Sequence, residues 1–367
     1  MKFNCRRSDL SDAVNLVERA VASRSTMNIL EGIFIEAKDN EIRFLGNNLE
    51  LCIDCSIPGT VTKKGSCVVK ANLFSDAVKK LPVTADDASI EVNDSNVILL
   101  SCGNAKFNFS TASADEFPRP QEIMANDEFS IKESVLKNMI RQTVYAISQN
   151  DSKPYLTGIL FDMKDGILNV VGCDGYRLAI RREETEHTAP LKFIMQGKTA
   201  RELLSLLGET DFEVSIKVSD KQAQLTLKNC VVTTRLVDGE YLNYEGVAKH
   251  ENTLYVVADT KSILDSVDRA SLIASEAVKA HVLLHIEDGQ VNINCETVLG
   301  QVKDRFEVSM QGEPIEIAFN PRYLLEAFKN VECKEIKLTF STALNPVVIQ
   351  PVEGNSFHYI VLPVRLH

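Results

Sequence analysis

The chain has 367 residues, of which 44% are hydrophobic and 25% are charged, a composition typical of a soluble globular protein. This length is too great for one hydrophobic core and predicts two or three domains. No apolar run approaches about 18 residues, so a membrane-spanning helix is excluded and we expect no membrane partner. The net charge of −11 argues against a basic surface over the whole protein. Because salt screens charges beyond about 8 Å, a protein of this net charge can still carry a local basic surface that acts independently of distant acidic residues.

The first residues, 1–9, lack the apolar stretch of a secretory signal peptide, and we expect none. The nine cysteines are an odd number and lie scattered, which predicts reduced thiols in a cytoplasmic protein. Cys52 and Cys55 match a C-x-x-C motif, but the alternation around them predicts a strand with the two thiols on opposite faces. No second pair completes a zinc site. We therefore expect no metal and no cofactor.

The same order of predicted elements occurs three times, which indicates an internal repeat. Each copy begins with a short strand, at 2–5, 128–131 and 253–257, so the copies start roughly 125 residues apart, a usual domain size. A helix follows in each copy, because apolar residues recur at helical spacing. These residues are Leu10, Ala13, Val14, Val17 and Val21 in the first copy, Leu136, Ile140, Val144 and Ile147 in the second, and Ile263, Leu264, Val267 and Leu272 in the third.

After this helix, each copy continues with two alternating strands and a hairpin turn between them. A second helix and further strands complete the copy. The residues at the turns tolerate positive φ and favour two-residue hairpin loops. They are Asp39-Asn40, Asp165-Gly166 and Asp288-Gly289.

The repeat predicts an α+β fold of three repeated domains, 1–125, 126–250 and 251–367, each with two helices and two antiparallel sheets. Repeated units of this kind assemble into an arc, a solenoid or a closed ring. No catalytic constellation stands out, which favours a scaffold over an enzyme. His281 and His285 have the spacing of a helical metal pair, but the alternation around them predicts a strand with the imidazoles about 13 Å apart.

Basic residues accompany the predicted helices of all three copies. Amphipathic helices place charges on their solvent-exposed face, so these residues are compatible with plain solvation. They are equally compatible with a set of helices directed at one polyanion such as DNA, in contacts that read no sequence and depend on salt. The residues are Lys79, Lys80, Lys132, Lys137, Arg141, Lys198, Arg201, Lys261, Arg269, Arg322 and Lys329.

Two stretches together predict a groove. The stretch 171–179 indicates a tight corner between two strands, because Asp174 can bond its own backbone and Gly175 tolerates positive φ. Taken alone, it is also compatible with an ordinary hairpin that covers the core. The stretch 360–366 is apolar, although chain ends are usually polar and frayed. An apolar tail packed beside this corner would form a groove.

Five segments carry a resemblance to a known family, at 155–158, 174–179, 236–239, 319–323 and 362–366. Over its whole length the chain resembles the bacterial sliding clamps, the beta subunits of DNA polymerase III. The resemblance implies that two copies join head to tail, forming a ring of which each chain is half. It implies that the ring encircles duplex DNA, catalyses no reaction, and tethers the polymerase III alpha subunit, the clamp loader and other proteins with a clamp-binding motif. The alternative is a repeat-built protein-interaction scaffold that does not encircle DNA.

The resemblance also implies residues for three kinds of site. The peptide pocket for partner proteins would contain Leu156, Cys173, Gly175, Tyr176, Arg177, Leu178, Leu242, Val247, Asn320, Tyr323, Leu344, Val347, Ile360, Val361, Leu362, Pro363, Val364 and Arg365. The DNA contacts would be Arg24, Gln149, Asn150, Lys153 and Lys198. The dimer interface would place Leu272 and Ile273 against Phe107 and Phe109 of the partner subunit.

Overall fold

The computed structural model describes residues 1–121, 123–150, 152–247, 253–274 and 280–365. The chain divides into two compact units. Unit 1 consists of Met1–Val135 and Ser205–Leu236, and unit 2 consists of Leu136–Leu204 and Val237–His367. The second predicted repeat contributes to both units. The predicted domain boundaries stay a prediction, and the one after residue 250 lies outside the described residues.

The predicted order of elements occurs three times in the structure. The first repeat has β1 Lys2–Arg6, α1 Arg7–Glu18, a 3-10 helix Asn28–Glu31, β2 Gly32–Lys38, β3 Glu41–Asn47, β4 Leu51–Pro58, β5 Thr60–Lys63, β6 Gly65–Lys70, α2 Ala71–Lys79, β7 Asp87–Val92, β8 Val97–Cys102 and β9 Ala105–Ala112. The second has β10 Asp127–Lys132, α3 Glu133–Val144, a 3-10 helix Pro154–Leu156, β11 Gly158–Lys164, β12 Ile167–Cys173, β13 Arg177–Glu184, β14 Leu191–Gln196, α4 Gly197–Leu206, β15 Glu213–Val218, β16 Gln222–Thr226, β17 Val231–Arg235 and a 3-10 helix Tyr244–Gly246. The third has β18 Leu254–Asp259, α5 Thr260–Ala274, β19 Val282–Glu287, β20 Gln290–Thr297, β21 Gly300–Glu307, β22 Ser309–Gly312, β23 Ile315–Phe319, α6 Pro321–Lys329, β24 Glu335–Phe340, β25 Val347–Pro351 and β26 Phe357–Val361.

The three predicted hairpin turns are confirmed. Both residues of each turn have positive φ, between 50° and 75°, which is the signature of the type I′ turn. This turn twists in the same sense as the strands on either side of it, so it holds each hairpin in register.

Three positions depart from the predicted helix faces. Val21 and Ile147 lie beyond α1 and α3, because the chain leaves each helix through tighter i→i+3 bonds, such as Val21 N to Glu18 O at 3.1 Å. Leu272 lies within α5 but is 69% exposed, so it is not part of the buried face. The buried face of α5 instead includes Ile263 and Val267.

Unit 1 contains one continuous antiparallel sheet in the order β10-β15-β16-β17-β4-β3-β2-β6-β9-β8-β7-β1-β5. The small sheets of the first two repeats are joined in it, because β17 pairs with β4. An edge strand that finds a partner no longer exposes unpaired N–H and C=O groups. The apolar cluster beneath this junction includes Phe34, Leu45, Cys52 and Phe117.

Unit 2 contains a nine-stranded sheet in the order β14-β11-β12-β13-β26-β25-β24-β18-β22 and a four-stranded sheet in the order β21-β20-β19-β23. The junction between repeats is made in the same way, because β26 pairs with β13. A large core includes Phe319, Phe328, Phe340 and Tyr359, all at most 2% exposed. A second cluster, described below, lies under the corner at residues 174–176.

Helix and sheet approach each other most closely at two equivalent glycines. A Cβ on Gly46 would stand 2.0 Å from Val17 O, and a Cβ on Gly172 would stand 2.1 Å from Thr143 O. Any side chain at these positions would push the first helix of the repeat off its sheet. The same constraint at the same place in two repeats supports their common architecture.

No group of three or more His, Cys, Asp or Glu residues that could hold a metal ion occurs in the part of the chain that the structure describes. Strand β19 begins at Val282, so it contains His285 as predicted but not His281, which directly precedes it. Cys52 and Cys55 are free thiols of strand β4, and burial raises the pKa of Cys52 to about 12. None of the described helices has the length and apolar character needed to cross a membrane.

Candidate functional site

The predicted corner lies between β12 and β13 in unit 2. Asp174 Oδ1 accepts hydrogen bonds from the backbone N–H groups of Tyr176 at 2.8 Å and Arg177 at 3.0 Å. Gly175 has a φ of 93°, which a residue with a side chain rarely adopts. Its N–H donates to Cys173 Sγ at 3.3 Å. The Asp-Gly pair therefore closes the corner as the sequence predicts and leaves Tyr176 62% exposed.

The C-terminal strand packs beside this corner. β26 pairs with β13, with Leu178 opposite Ile360. Beyond the strand, Leu362 N donates to Tyr176 O at 2.9 Å, and Val364 N donates to Ala318 O at 2.7 Å. These bonds confirm that the tail docks next to the corner, while the predicted tail residues Leu366 and His367 lie outside the described residues.

A buried guanidinium connects the corner to two helices. Arg177 is 7% exposed, and its Nε lies 3.0 Å from Asp174 Oδ2. Its Nη1 pairs with Glu326 of α6, and its Nη2 donates to Tyr145 O at 2.7 Å, just beyond α3. The guanidinium carbon stands 4.7 Å from the ring centroid of Tyr323 and 5.4 Å from that of Tyr145. Two carboxylates and two aromatic rings therefore surround one cation.

Three groups at this corner have pKa values that differ from their ordinary ones. Partial burial raises the pKa of Glu326, but hydrogen bonds from Arg177 and Arg322 outweigh it and hold this pKa below its ordinary value. Burial, and then the charge of Asp174, raise the pKa of Tyr323. Burial raises the pKa of Cys173 to about 11. The carboxylate of Glu326 is thus charged at neutral pH, while the phenol and the thiol are neutral.

A cavity of about 670 Å³ opens beside the corner. Tyr176 and Tyr323 form one wall, with their rings stacked at 6.2 Å between centroids. The opposite wall is the loop after α3, and the lining includes the predicted peptide residues Leu156, Gly175, Tyr176, Arg177 and Tyr323. It also includes Gln149, Asn150 and Lys153, which the sequence assigned to DNA, and Ser148, Asp174 and Arg322, which it did not assign to the pocket.

An apolar cluster lies under the same corner and contains six of the predicted peptide residues. Four are buried and two are partly buried against the others. The buried four are Leu156, Cys173, Leu178 and Ile360, and the partly buried two are Leu242 and Val247. This cluster and the cavity share Leu156, so the site consists of two adjoining parts.

The remaining predicted peptide residues are distributed around these two parts. Asn320 caps α6 and accepts a hydrogen bond from Arg322 N at 3.0 Å. Val347 and Val361 lie in the large core, against which Tyr323 is packed. Leu344 is 66% exposed in the loop between β24 and β25. The tail residues Leu362, Val364 and Arg365 are exposed, and Pro363 is half-buried.

The predicted DNA and dimer residues outside this site lie at the surface of their own units. In unit 1, Arg24 is exposed in the loop after α1, and Phe107 and Phe109 stack on β9 at 6.2 Å between ring centroids. In unit 2, Lys198 is exposed in the first turn of α4, and Ile273 is half-buried at the end of α5, next to the exposed Leu272. Their roles stay predictions.

Sequence reasoning missed two members of the Arg177 network, Tyr145 and Glu326. The only local signal for Glu326 was its i,i+4 spacing from Arg322, with which it pairs at 3.0 Å. No local signal indicated Tyr145, because it lies 32 positions from Arg177 in the chain. It contacts Arg177 through its backbone carbonyl and its aromatic ring.

Three family profiles match nearly the whole chain. They are described as the N-terminal, central and C-terminal domains of the DNA polymerase III beta subunit and match residues 1–121, 130–243 and 248–365. The beta sliding clamps of Bacillus subtilis and Halalkalibacterium halodurans are each 31% identical, over 380 and 382 residues that cover 100% of both chains.

Solved structures agree with these matches. The DNA polymerase sliding clamp from Bacillus subtilis has a TM-score of 0.96 and 31% identity, with 100% of both chains covered. A putative DNA polymerase III beta subunit from Eubacterium rectale has a TM-score of 0.94 and 32% identity, with the same coverage. The relatives are non-catalytic processivity subunits of the polymerase. This chain, with three domain matches and the same fold throughout, belongs to the family of DNA polymerase III beta subunits, the beta sliding clamps.

Proposed function

We propose that two copies of this chain join head to tail into a closed ring around duplex DNA. The ring tethers the DNA polymerase III alpha subunit, the clamp loader and other proteins with a clamp-binding motif to the template. Each chain contributes three domains, 1–125, 126–250 and 251–367. In this role the ring raises the effective concentration of bound enzymes at the DNA. The observation that carries the proposal is the way in which successive repeats pair their strands.

Strand pairing follows one rule in both units. In unit 1, the last strand of the second repeat, β17, pairs with the fourth strand of the first, β4. In unit 2, the last strand of the third repeat, β26, pairs with the fourth strand of the second, β13. The rule leaves over the last strand of the first repeat, β9, and the fourth strand of the third, β21. Pairing of β9 with the β21 of another copy continues the rule and makes a head-to-tail contact.

Both leftover strands have an edge available for such pairing. β21 ends its four-stranded sheet. Among the described residues, β9 bonds to β6 only through Thr111 and Ala112, so most of that edge is open. Side chains alternate between half-buried and exposed along β9, as on a strand with one face toward a core. Two such contacts, one at each end of the chain, close a ring of two copies.

Encirclement of DNA is tested by topology. After loading onto a nicked circular plasmid by a bacterial clamp loader and ATP, the protein should stay with the DNA through gel filtration and leave once the plasmid is cut. Sedimentation should give the mass of a dimer. Equal retention on circular and linear DNA would instead favour the alternative, a protein-interaction scaffold that does not encircle DNA.

We expect weak, sequence-independent DNA contacts from Arg24 and Lys198, and from the loop residues Gln149, Asn150 and Lys153 that the family resemblance implies. Replacing both Arg24 and Lys198 with alanine should reduce the slope of log affinity against log salt by about one unit per lost phosphate contact. The control variant replaces Lys38 and Lys164, exposed lysines at the same position of two hairpins. Anisotropy of labelled duplex DNA measures the slope. An unchanged slope in the Arg24 and Lys198 variant would show that these two residues are solvated surface charges that do not contact DNA.

The two-part site in unit 2 suits a short linear peptide from a partner protein. Its apolar floor can take one or two Leu or Phe anchors, and the cavity beside Tyr176 and Tyr323 offers polar groups for a glutamine. Few buried anchors with modest hydrogen bonding correspond to micromolar affinity, about −8 kcal/mol. Such affinity lets polymerase and repair partners exchange.

Deleting residues 364–367 is expected to abolish peptide binding and to leave the dimer intact. The deletion removes the bond from Val364 N to Ala318 O, which holds the tail in place, whereas the strands proposed for the dimer contact lie elsewhere. Fluorescence polarisation of a labelled Gln-Leu-Ser-Leu-Phe peptide measures the effect. Val352→Ala, an exposed apolar residue outside the groove, is the control. Equal binding by the truncated protein would show that the tail only packs.

A further inference from the structure

Unit 1 contains a corner with the same hydrogen bonds as the corner of unit 2. It lies between β3 and β4, where Asn48 Oδ1 accepts from Glu50 N at 3.0 Å and Leu51 N at 2.8 Å. Asp174 accepts the two corresponding bonds in unit 2. Asn48 N donates to Leu51 O at 3.1 Å, and in unit 2 Asp174 N donates to Arg177 O at 3.3 Å. The two corners are therefore equivalent bond by bond.

The equivalence extends to the strand docked beside the corner. Arg235 N donates to Glu50 O at 2.8 Å, and in unit 2 Leu362 N donates to Tyr176 O at 2.9 Å. Leu49 has a φ of 73° at the position where Gly175 has 93°. A leucine held in this unfavourable region points to a backbone shape imposed by its surroundings. The corner architecture that borders the peptide site of unit 2 is thus built a second time in unit 1.

A cavity of about 220 Å³ lies beside the second corner, against 670 Å³ in unit 2. Its floor is the end of β17, and its far wall is the segment 118–121. Asn47 Nδ2 donates to Pro118 O at 2.7 Å and ties this wall to the corner. The smaller volume suits a single side chain with its flanking backbone rather than a row of apolar anchors.

Charge distinguishes this cavity from the site in unit 2. Two exposed arginines, Arg119 and Arg235, line its mouth together with the carboxylate of Glu50. The guanidinium of Arg119 stands 4.8 Å from the ring centroid of Phe34 and 4.0 Å from Glu36 Oε1. The side chain of Arg235 makes no hydrogen bond or ion pair with any residue that the structure describes. Glu36 balances the charge of Arg119, so the guanidinium of Arg235 is the fork that remains for an anion.

We propose that this cavity is a second peptide site, which accepts one Asp or Glu side chain of a short linear segment of a partner protein. The carboxylate pairs with Arg235 and Arg119, and an adjacent leucine of the peptide rests on Leu49 and Pro118. The proposal rests on the function proposed for the corner of unit 2, since it assumes that this architecture binds peptides. Its ligand differs, because the mouth is charged and the floor is polar, with Thr233 and Gln222.

The test uses the full chain and two labelled peptides, Ala-Leu-Asp-Leu-Ala and the matched Ala-Leu-Asn-Leu-Ala. The Asp peptide should bind about tenfold more tightly than the Asn peptide, since it alone pairs with the two guanidinium groups. Arg119→Glu combined with Arg235→Glu should abolish binding of the Asp peptide, and Arg119→Lys with Arg235→Lys should retain most of it. Unlabelled Gln-Leu-Ser-Leu-Phe peptide should not displace the Asp peptide.

Three results would overturn the proposal: equal binding of the two peptides, binding that survives the double charge reversal, or full displacement by the Gln-Leu-Ser-Leu-Phe peptide. The charge-reversed protein must still bind that second peptide, which confirms its fold. If instead the Gln-Leu-Ser-Leu-Phe peptide fails to bind the wild-type chain while the Asp peptide behaves as expected, the function proposed for unit 2 is wrong and the site in unit 1 stands. Tyr323→Ala should weaken only the Gln-Leu-Ser-Leu-Phe peptide, which separates the two sites.

Discussion

Replacing Arg177 with alanine is expected to lower the free energy of unfolding of unit 2 by about 3–5 kcal/mol, the usual cost of removing one partner from a buried ion pair. The change leaves Glu326 and Asp174 without their cation and removes the donor to Tyr145 O. It also opens a void between the rings of Tyr145 and Tyr323. The groove should lose peptide affinity as well, because Tyr323 loses the group it packs against.

The matched control is Arg322→Ala, which removes the other partner of the same carboxylate. Its guanidinium pairs with Glu326 at 3.0 Å, but its side chain is 66% exposed. An exposed pair contributes only about 0–1 kcal/mol, so this variant should unfold almost as the wild type does. Urea unfolding followed by circular dichroism gives both values, since the chain has no tryptophan to report by fluorescence. Similar midpoints for the two variants would contradict a central role for Arg177.

Replacing both Leu272 and Ile273 with alanine is expected to convert the proposed dimer into monomers. Leu272 is 69% exposed in the single chain and lies next to the half-buried Ile273, so both are accessible to a partner surface. Truncating a buried aliphatic side chain costs about 2–5 kcal/mol, so two truncations should weaken the dimer by more than about a hundredfold. Sedimentation velocity at submicromolar concentration measures this. Leu73→Ala with Val83→Ala, two exposed apolar residues of unit 1, is the control. A variant at 272 and 273 that stays dimeric would contradict the interface.

The repeat also predicts the register of the dimer contact. The first residue of the fourth strand is Leu51 in β4, where it pairs with Thr234, and Arg177 in β13, where it pairs with Val361. The corresponding first residue of β21 is Gly300. Its partner on β9 is therefore the residue equivalent to Thr234 and Val361.

That residue follows from the pairing further along each last strand. Val237 lies three positions after Thr234, and Val364 lies three positions after Val361. Their N–H groups donate to Ile194 O and Ala318 O, in the strand that precedes the second helix of each repeat. In the first repeat, Ala112 pairs with this strand, β6. Phe109 lies three positions before Ala112, so we expect Gly300 opposite Phe109 of the partner subunit.

Engineered cysteines can test this register. In both existing junctions, the residue just before the fourth strand, Glu50 or Tyr176, accepts a hydrogen bond from the last strand. Hydrogen-bonded and non-hydrogen-bonded pairs alternate along an antiparallel ladder, so Gly300 falls in a non-hydrogen-bonded pair. Two positions further on, Val302 and Phe107 of the partner subunit should form the next non-hydrogen-bonded pair. Cα atoms of such a pair lie about 4.5 Å apart, within the span of a disulfide. Val302→Cys with Phe107→Cys should link adjacent copies on mild oxidation, and Lys303→Cys with Phe107→Cys should not. Equal yields on a denaturing gel would rule the register out.

The sequence by itself determined the repeat, the hairpins and the corner. These features depend on residues close together in the chain: apolar positions at the period of a helix or a strand, and Asp-Asn or Asp-Gly pairs that accept positive φ. The observed φ angles at the three turns and at Gly175 follow from those pairs alone. The apolar tail is a similar case, because an apolar run such as 360–364 is expected to be packed against the protein rather than exposed to solvent.

Only the tertiary structure decided which side chains share a site. Arg177 was predicted to line the peptide pocket, and the fold buries its guanidinium because Glu326, 149 positions away, supplies the compensating charge. Gln149 and Asn150 were predicted to contact DNA, and the fold places them on the wall of the cavity beside Tyr176. Local patterns cannot encode such contacts, because the free energy of a buried charge depends on partners that meet only when distant segments pack together.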